Sequence, residues 1–173
     1  METHVLTFSQ AVNDAMRRLA QDPRVLFVGQ SVAYDGATIF DSLDGIPMDR
    51  RLEMPVVEDF QLGFCIGQAM MGQVPVSIYP RMDFLVLALN QLVNHLDKMP
   101  RFGWNPKVIV RTRVGGTWPL NAGPQHTQNH TRAIDSMTEW VRVVEVTTPE
   151  EVHRAYHMAM DQDGSFVIVE NPE

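Results

Sequence analysis

Cysteine is almost missing from this sequence: Cys65 is the only one among 173 residues. No disulfide can close within the chain, and a reducing compartment is expected. Flanked by apolar residues, Cys65 reads as a small core side chain and not as a nucleophile. Basic residues are scarce as well, 14 Lys and Arg against 21 Asp and Glu, which gives a formal charge of −7 and a pI near 5.3. Phosphate backbones and anionic lipid surfaces attract clustered Lys and Arg. Those present here are scattered, so neither nucleic acid nor membrane is an expected partner. Long apolar runs are absent: no segment approaches the roughly 18 residues that span a bilayer, and the opening METHVLTFSQ has no positive region followed by an apolar stretch. A cytoplasmic protein is expected. The sequence also lacks a Gly-x-Ser-x-Gly elbow, a Gly-rich phosphate loop ending in Lys-Ser/Thr and a Gly-x-Gly-x-x-Gly fingerprint, so the chemistries those motifs carry have no support.

What is present suits one globular domain over residues 1–173, with 45% hydrophobic content and length enough for a real core. Between Phe8 and Ala20 the apolar residues Ala11, Val12, Ala15, Met16 and Leu19 recur at helical spacing, and Asp22-Pro23 ends that helix before the strand-like run Val25 to Val28. Residues 30–53, rich in Gly, Asp and Arg, show no clear period and read as a long excursion of the functional kind. A helix from about Asp59 to Met71 stops at Gly72, and Val74 to Tyr79 follows as a strand with Pro75 at its start. Asp83 to Met99 is the longest amphipathic stretch and reads as one helix. Strand-like runs return at Val108 to Val110, Val141 to Val146 and Phe166 to Val169. The tetrad Thr148-Pro149-Glu150-Glu151 between the last two has the form of a capping box with proline at the first helical position. Helices and strands that alternate in this way predict a three-layer α/β fold, a mostly parallel sheet with helices on both faces. Ligand contacts in such a sheet gather beyond the carboxyl ends of the strands.

Three places can carry chemistry. Glu58 opens an apolar, Gly-punctuated helix, where a carboxylate serves either as a dipole partner or as a reactive group. In the same helix the spacing Gly63-x-x-x-Gly67 permits close approach of another helix. The stretch Gly123-Pro124-Gln125-His126-Thr127-Gln128 ends a loop that contains Gly115, Gly116 and Pro119. It presents polar donors and acceptors on a stiff backbone, which suits ligand contact or simple turn chemistry. His126 and His130, four apart, would share the face of a helix as zinc ligands do. No Glu follows His126 and no third ligand is near, so zinc is set aside and no metal site is expected in this chain.

Taken in order, "LTFSQAVNDAMRRLAQDPRVLFVGQSVAYDG", "MPVVEDFQLGFCIGQAMMGQVPV", "MDFLVLALNQLVNHLDKM", "GPQHTQ" and "TTPEEVHRAYHMAMDQDGSFVIVEN" resemble the amino-terminal half of the beta subunit of 2-oxo acid dehydrogenases. That subunit belongs to the thiamine-diphosphate-dependent decarboxylase component, within the transketolase-like superfamily. The resemblance runs over essentially the whole chain and implies a pyrimidine-binding domain. It implies that Glu58 hydrogen-bonds the cofactor's N1′ nitrogen, because an apolar setting favours a carboxyl group that shares a proton with the ring. Proton relay through the pyrimidine then removes the thiazolium C2 proton, and the cofactor acts as electron sink. By the same resemblance Met82 and Phe84 would contact the cofactor, with Phe84 against the aminopyrimidine ring or else buried in its own helix. His126, in the family's Gly-Pro-Gln-His motif, would be the second catalytic residue at the substrate end.

Departures qualify what the resemblance implies. Gln30-Ser31 stands where the family commonly carries an acidic residue thought to couple paired sites, and Pro100 to Trp104 replaces a Ser-Gly-Gly-like stretch. The family continues with a carboxyl-terminal domain, and the Gly-Asp-Gly motif with a distant Asn, which holds the diphosphate through Mg2+, does not occur here. The expectation is a beta-like subunit of a split thiamine-diphosphate enzyme. An alpha-like, diphosphate-binding partner would hold Mg2+ within a heterotetramer, and the reaction would cleave or form a carbon-carbon bond next to a carbonyl on a small 2-oxo acid or keto sugar. Two alternatives are a non-catalytic assembly or regulatory subunit with the same fold, and a piece of a longer beta subunit.

Overall fold

A computed structural model describes residues 6–35, 37–116 and 121–172. Six parallel strands form one sheet: β1 (Val25–Gly29), β2 (Arg51–Glu53), β3 (Val74–Tyr79), β4 (Ile109–Arg113), β5 (Arg142–Val146) and β6 (Phe166–Glu170), in the order β2-β1-β3-β4-β6-β5. Alternate side chains of the central strands enter two separate cores, as the two-residue period of a strand requires. On one face α1 (Phe8–Leu19) and α6 (Pro149–Asp161) bury Ala11, Ala15, Met16, Ala155 and Tyr156 against Phe27, Val76, Ile109 and Ile168. On the other face α3 (Glu58–Met70) and the helical segment after β3 bury Leu62, Cys65, Leu85 and Leu92 against Val28, Val110 and Val167. The expected three layers are present. Cys65 is fully buried, and burial pushes its thiol up to about 12, which leaves it an inert core residue. No helix among the described residues is long and apolar enough to cross a membrane.

Capping explains the firmest boundaries. Thr148 accepts from the Glu151 amide while the Glu151 carboxylate reaches back to the Thr148 amide, and Thr7 with Gln10 builds the same box on α1. Pro75 is the second residue of β3 and precedes the ladder to β4, which begins at Val76 opposite Ile109, so its missing N–H costs no bond there.

Two expectations need correction. The stretch from Met82 to Phe102 is helical but is no single α-helix: α4 (Met82–Leu85) passes into a 3-10 turn (Val86–Ala88), a π segment (Asn90–His95) and a second 3-10 run (Leu96–Phe102). Pro100 lacks the N–H that an α ladder needs. Asp97 is also drawn inward, where one carboxylate oxygen accepts from the Glu139, Trp140 and Val141 amides at 2.9, 2.7 and 2.9 Å. The 30–53 excursion, in turn, contains α2 (Thr38–Ser42) and the edge strand β2. Arg51 ties it together by donating to the carbonyls of Leu43 and Ile46 at 2.6 and 2.8 Å. A further short helix, α5 (Thr131–Met137), lies in a region where no element is predicted from the sequence. All three missed elements are too short to display a period.

Candidate active site

The carboxyl ends of β1, β3, β4 and β6 open into a cavity of about 480 Å3. Ser31 from the turn after β1, Thr38, Asp41 and Ser42 from the excursion, Arg81 and Phe84 after β3, Arg113 at the end of β4 and His126 are among the residues that line its wall. The excursion therefore lines this cavity, which lies where a parallel sheet leaves its strand ends free.

His126 reaches this wall through a series of local bonds. Gly123 has φ of +81°, and its carbonyl accepts from the His126 amide at 3.1 Å and from the Thr127 hydroxyl at 3.1 Å, which closes a tight turn. The Gln128 amide group donates to Asp83 at 2.8 Å, and the His130 N–H points at the Met82 sulfur at 3.2 Å. These two bonds pin the loop to α4. Gly115 completes the clamp: a Cβ there would stand 1.8 Å from the His126 carbonyl oxygen, so only glycine permits the approach. The result brings His126 edge-on to Phe84, with ring centroids 5.4 Å apart and planes at 89°.

Phe84 and His126 thus share the cavity. The Met82 side chain is fully buried and packs against His130 and Thr131, so the structure puts it in the core beneath the loop and not on the cavity wall. His126 and His130 do not share a helix, because His126 lies in the turn and His130 caps α5. Pro119 lies outside the described residues.

Glu58 occupies a neighbouring position. It is the first residue of α3 and only 5% exposed, yet among the described residues its side chain has one hydrogen bond, a 3.2 Å contact from the Gln30 amide nitrogen. Its backbone is held more firmly. The buried Gln61 amide donates to Ser77 at 3.1 Å, Ser77 bonds the Tyr79 hydroxyl at 3.4 Å, and Tyr79 donates to the Glu58 carbonyl at 3.2 Å. Burial raises the Tyr79 phenol far above its ordinary value, which keeps it a neutral donor in this network. Glu58 is not on the cavity wall. The dipeptide Gln30-Ser31 joins the two places, since Gln30 faces Glu58 and Ser31 faces the cavity. Ser31 has φ of +60°, an unusual backbone state for a residue with a side chain. Glu53 stabilises that turn by accepting from the Ser31 and Ala33 amides at 2.7 and 2.8 Å.

Glu53, Gln61, Tyr79, Arg111 and Arg113 were not anticipated. One signal was available for the arginines: the apolar strand IVRTR carries charges at alternate positions, which a strand turns to one face. Arg111 and Glu170 form a buried ion pair at 2.7 Å that also lines the cavity, with Ser42 and Tyr156 supplying further bonds at 2.8 Å each. Among the described residues no group of three His, Cys, Asp or Glu side chains stands close enough to hold a metal ion.

Comparison with known proteins agrees with this architecture. Residues 4–172 match the family described as transketolase, pyrimidine binding domain. The 3-methyl-2-oxobutanoate dehydrogenase subunit beta of Mycobacterium tuberculosis (strain ATCC 25618 / H37Rv) is 30% identical over 157 residues, 87% of this chain and 44% of that one. The 2-oxoisovalerate dehydrogenase subunit beta of Bacillus subtilis (strain 168) is 25% identical over 175 residues, 96% of this chain and 52% of that one. A solved structure described as a split gene transketolase, inactive beta4 tetramer, shares the fold with a TM-score of 0.76 at 15% identity, over 98% of this chain and 52% of its own. The chain spans about half the length of the curated relatives it matches.

Proposed function

This chain belongs to the transketolase pyrimidine-binding domain family, and from that premise we propose that it supplies the pyrimidine-activating half of a thiamine-diphosphate enzyme. The observation that carries the proposal is Glu58: a buried carboxylate at the start of α3 with one long side-chain bond among the described residues. Neither of its oxygens is among the described atoms that are both buried and unpartnered, so its tip stays reachable from outside. A carboxylate that is held through its backbone and left free at its tip suits a ring nitrogen with which it shares a proton.

Thiamine diphosphate, when bound, supplies the acidic carbon and the electron sink for chemistry next to a carbonyl. Each residue of this chain has a distinct task toward it. Glu58 holds a proton at its carboxylate for the pyrimidine N1′, and Gln30 orients that carboxylate with an uncharged donor. Phe84 offers an aromatic face for the ring. His126, braced against Phe84, donates to oxygen or moves a proton at the substrate end. Diphosphate and Mg2+ would be held by an alpha-like partner, and the substrate would be a small 2-oxo acid or a keto sugar. The alternative is a non-catalytic assembly or regulatory subunit with the same fold.

Exposed apolar side chains beside Glu58 support assembly: Val56 is 73% exposed, and Phe60 and Leu87 are each 62% exposed. Within α3, a Cβ added at Gly63 would meet the Gln91 side chain at 3.4 Å, whereas a Cβ at Gly67 would meet nothing within 4 Å. Arginine at position 67 therefore fits the isolated chain. Light scattering on Gly67→Arg is expected to report loss of self-association and of the heterotetramer, and an unchanged assembly would remove α3 from the interface.

The central test is Glu58→Gln in the enzyme reconstituted with its partner. Exchange of the cofactor's C2 proton, followed by NMR, should slow by roughly 100- to 10,000-fold, the usual worth of a positioned acid or base. Unchanged exchange would make Glu58 a helix-terminal partner and nothing more.

A further inference from the structure

A second cavity, of about 440 Å3, opens at the amino ends of β4, β5 and β6, the opposite end of the sheet from the candidate active site. Trp104, Pro106, Trp140, Arg142, Asp163 and Ser165 are among the residues that line it. Each loop at its edge is pinned by a side chain that reaches it from another segment. The Asp97 carboxylate takes the amides of residues 139–141, Lys107 donates to the Met160 and Gln162 carbonyls at 2.5 and 2.6 Å, and the Ser165 hydroxyl donates to the Pro106 carbonyl at 2.7 Å. On these fixed backbones two indoles stay half in water, Trp104 at 51% and Trp140 at 49% exposure. Rings presented so firmly are rigid aromatic anchors, the kind that dominate binding to a partner. Arg142 is engaged locally, its guanidinium over the Phe166 ring at 5.2 Å and bonded to the Gln162 side-chain oxygen. Asp163 is exposed and forms no ion pair among the described residues, so it is the acceptor left open to a cation.

We propose that this groove docks a proline-rich segment of a partner protein, in the extended polyproline II form, with a basic residue beside the prolines. Proline rings pack on indole faces, and the carbonyls of that helix, which has no internal hydrogen bonds, accept from indole N–H groups. A segment that is already stiff loses little freedom on docking. Asp163 takes the basic residue. The occupant is not a second copy: the 11 prolines of this chain stand at least five residues apart, so it has no Pro-x-x-Pro run with which to fill the groove of another. This docking is independent of the reaction proposed above, since none of the residues that line the groove lines the active-site cavity.

Fluorescence anisotropy on the purified chain tests this with three labelled peptides: six prolines followed by two arginines, six prolines followed by two glutamates, and alternating glycine and serine followed by two arginines. The proline-arginine peptide should bind most tightly, with the glycine-serine peptide weaker by about 10-fold or more. Trp104→Ala and Trp140→Ala should each weaken it by roughly 30-fold, the usual loss at an aromatic hot spot. Trp140→Phe, which keeps a ring and loses the N–H, should fall in between. Asp163→Asn should weaken it by about 2- to 5-fold, the worth of an exposed ion pair, and narrow the gap between the arginine and glutamate peptides. Met71→Ser removes a side chain that is 81% exposed at the end of α3, and should bind as the wild type does. Equal binding of the three peptides, no binding of any, undiminished affinity in both alanine variants, or an equal loss in Met71→Ser would overturn the proposal. So would arginine amide that binds as tightly as the peptide, which would make the groove a pocket for small cations. Self-association that both alanine variants abolish would also overturn it, since a second copy would then be the occupant.

Discussion

Two buried glutamates near the carboxyl ends of the sheet have opposite lives. Glu170, 3% exposed at the end of β6, takes Arg111 through both carboxylate oxygens, at 2.7 and 3.3 Å, and the Tyr156 hydroxyl at 2.8 Å. Glu58, nearly as buried at the start of α3, takes one amide nitrogen at 3.2 Å and has no ion-pair partner among the described residues. Burial alone therefore does not separate a fully bonded carboxylate from one with bonding capacity to spare. Commitment differs: both carboxylate oxygens of Glu170 accept from charged or hydroxyl donors, while Glu58 is anchored by its backbone and has one amide contact at its tip among the described residues.

The sharpest way to break this contrast is to remove charge from each residue in turn. Glu170→Gln should cost about 3–5 kcal/mol in urea unfolding, because it strands Arg111 as an unpaired buried charge. Glu58→Gln should leave the unfolding midpoint within roughly 0.5 kcal/mol of the wild type, since it loses no cation. Comparable losses in both would show that Glu58 is structural.

Asp97 extends the comparison to a third buried carboxylate. Burial pushes its carboxyl up, but the Lys98 ammonium at 2.6 Å and the three amides of residues 139–141 outweigh burial and hold it below the ordinary carboxylate range. A depressed native value contributes stability that is present above the unfolded value and is lost as pH falls through the native one. Unfolding followed from pH 7 down to pH 2 should show that loss, and Asp97→Asn should flatten it, at a cost of about 1–3 kcal/mol at neutral pH. A wild-type profile that matches the variant's would remove Asp97 from the acid sensitivity.

A smaller loss than at Glu170 or Asp97 comes from giving Glu58 a charged neighbour. Gln30→Glu sets two carboxylates at hydrogen-bonding distance and should destabilise the chain by about 1 kcal/mol at pH 8, with recovery on acidification as the pair takes up a proton. A pH-independent change would mean that residue 30 does not face Glu58 in solution.

Which parts of this molecule could be read from its sequence follows from the range of the interactions that make it. Periodicity within one element exposed α1, α3 and α6, and Thr148 to Glu151 announced the start of α6 because a capping box is written in four adjacent residues. Glu58, Phe84 and His126 were reached through resemblance, which carries information that composition does not. The partners of Glu170 lie 59 and 14 residues away, and Glu53 acts on a turn some 20 residues earlier, so nothing local marks them. The broken helix after β3 shows the converse: its apolar spacing is faithful to a helix, but Asp97 answers to a loop more than 40 residues distant, and the ladder changes form to let it.

The packing of α1 against α6 has a consequence for the order in which the protein is made. On the ribosome the first helix emerges with Ala11, Val12, Ala15, Met16 and Leu19 on one side, and β1 and β3 follow soon enough to cover part of it. The α6 residues Val152, Ala155 and Tyr156 that finish the cover come from the far end of the chain, more than 130 residues later. Until those residues are made the nascent chain therefore displays a sticky stripe on α1. A delay there favours chaperone capture or pairing with a sister chain, so the time between first helix and last is itself a hazard this topology carries.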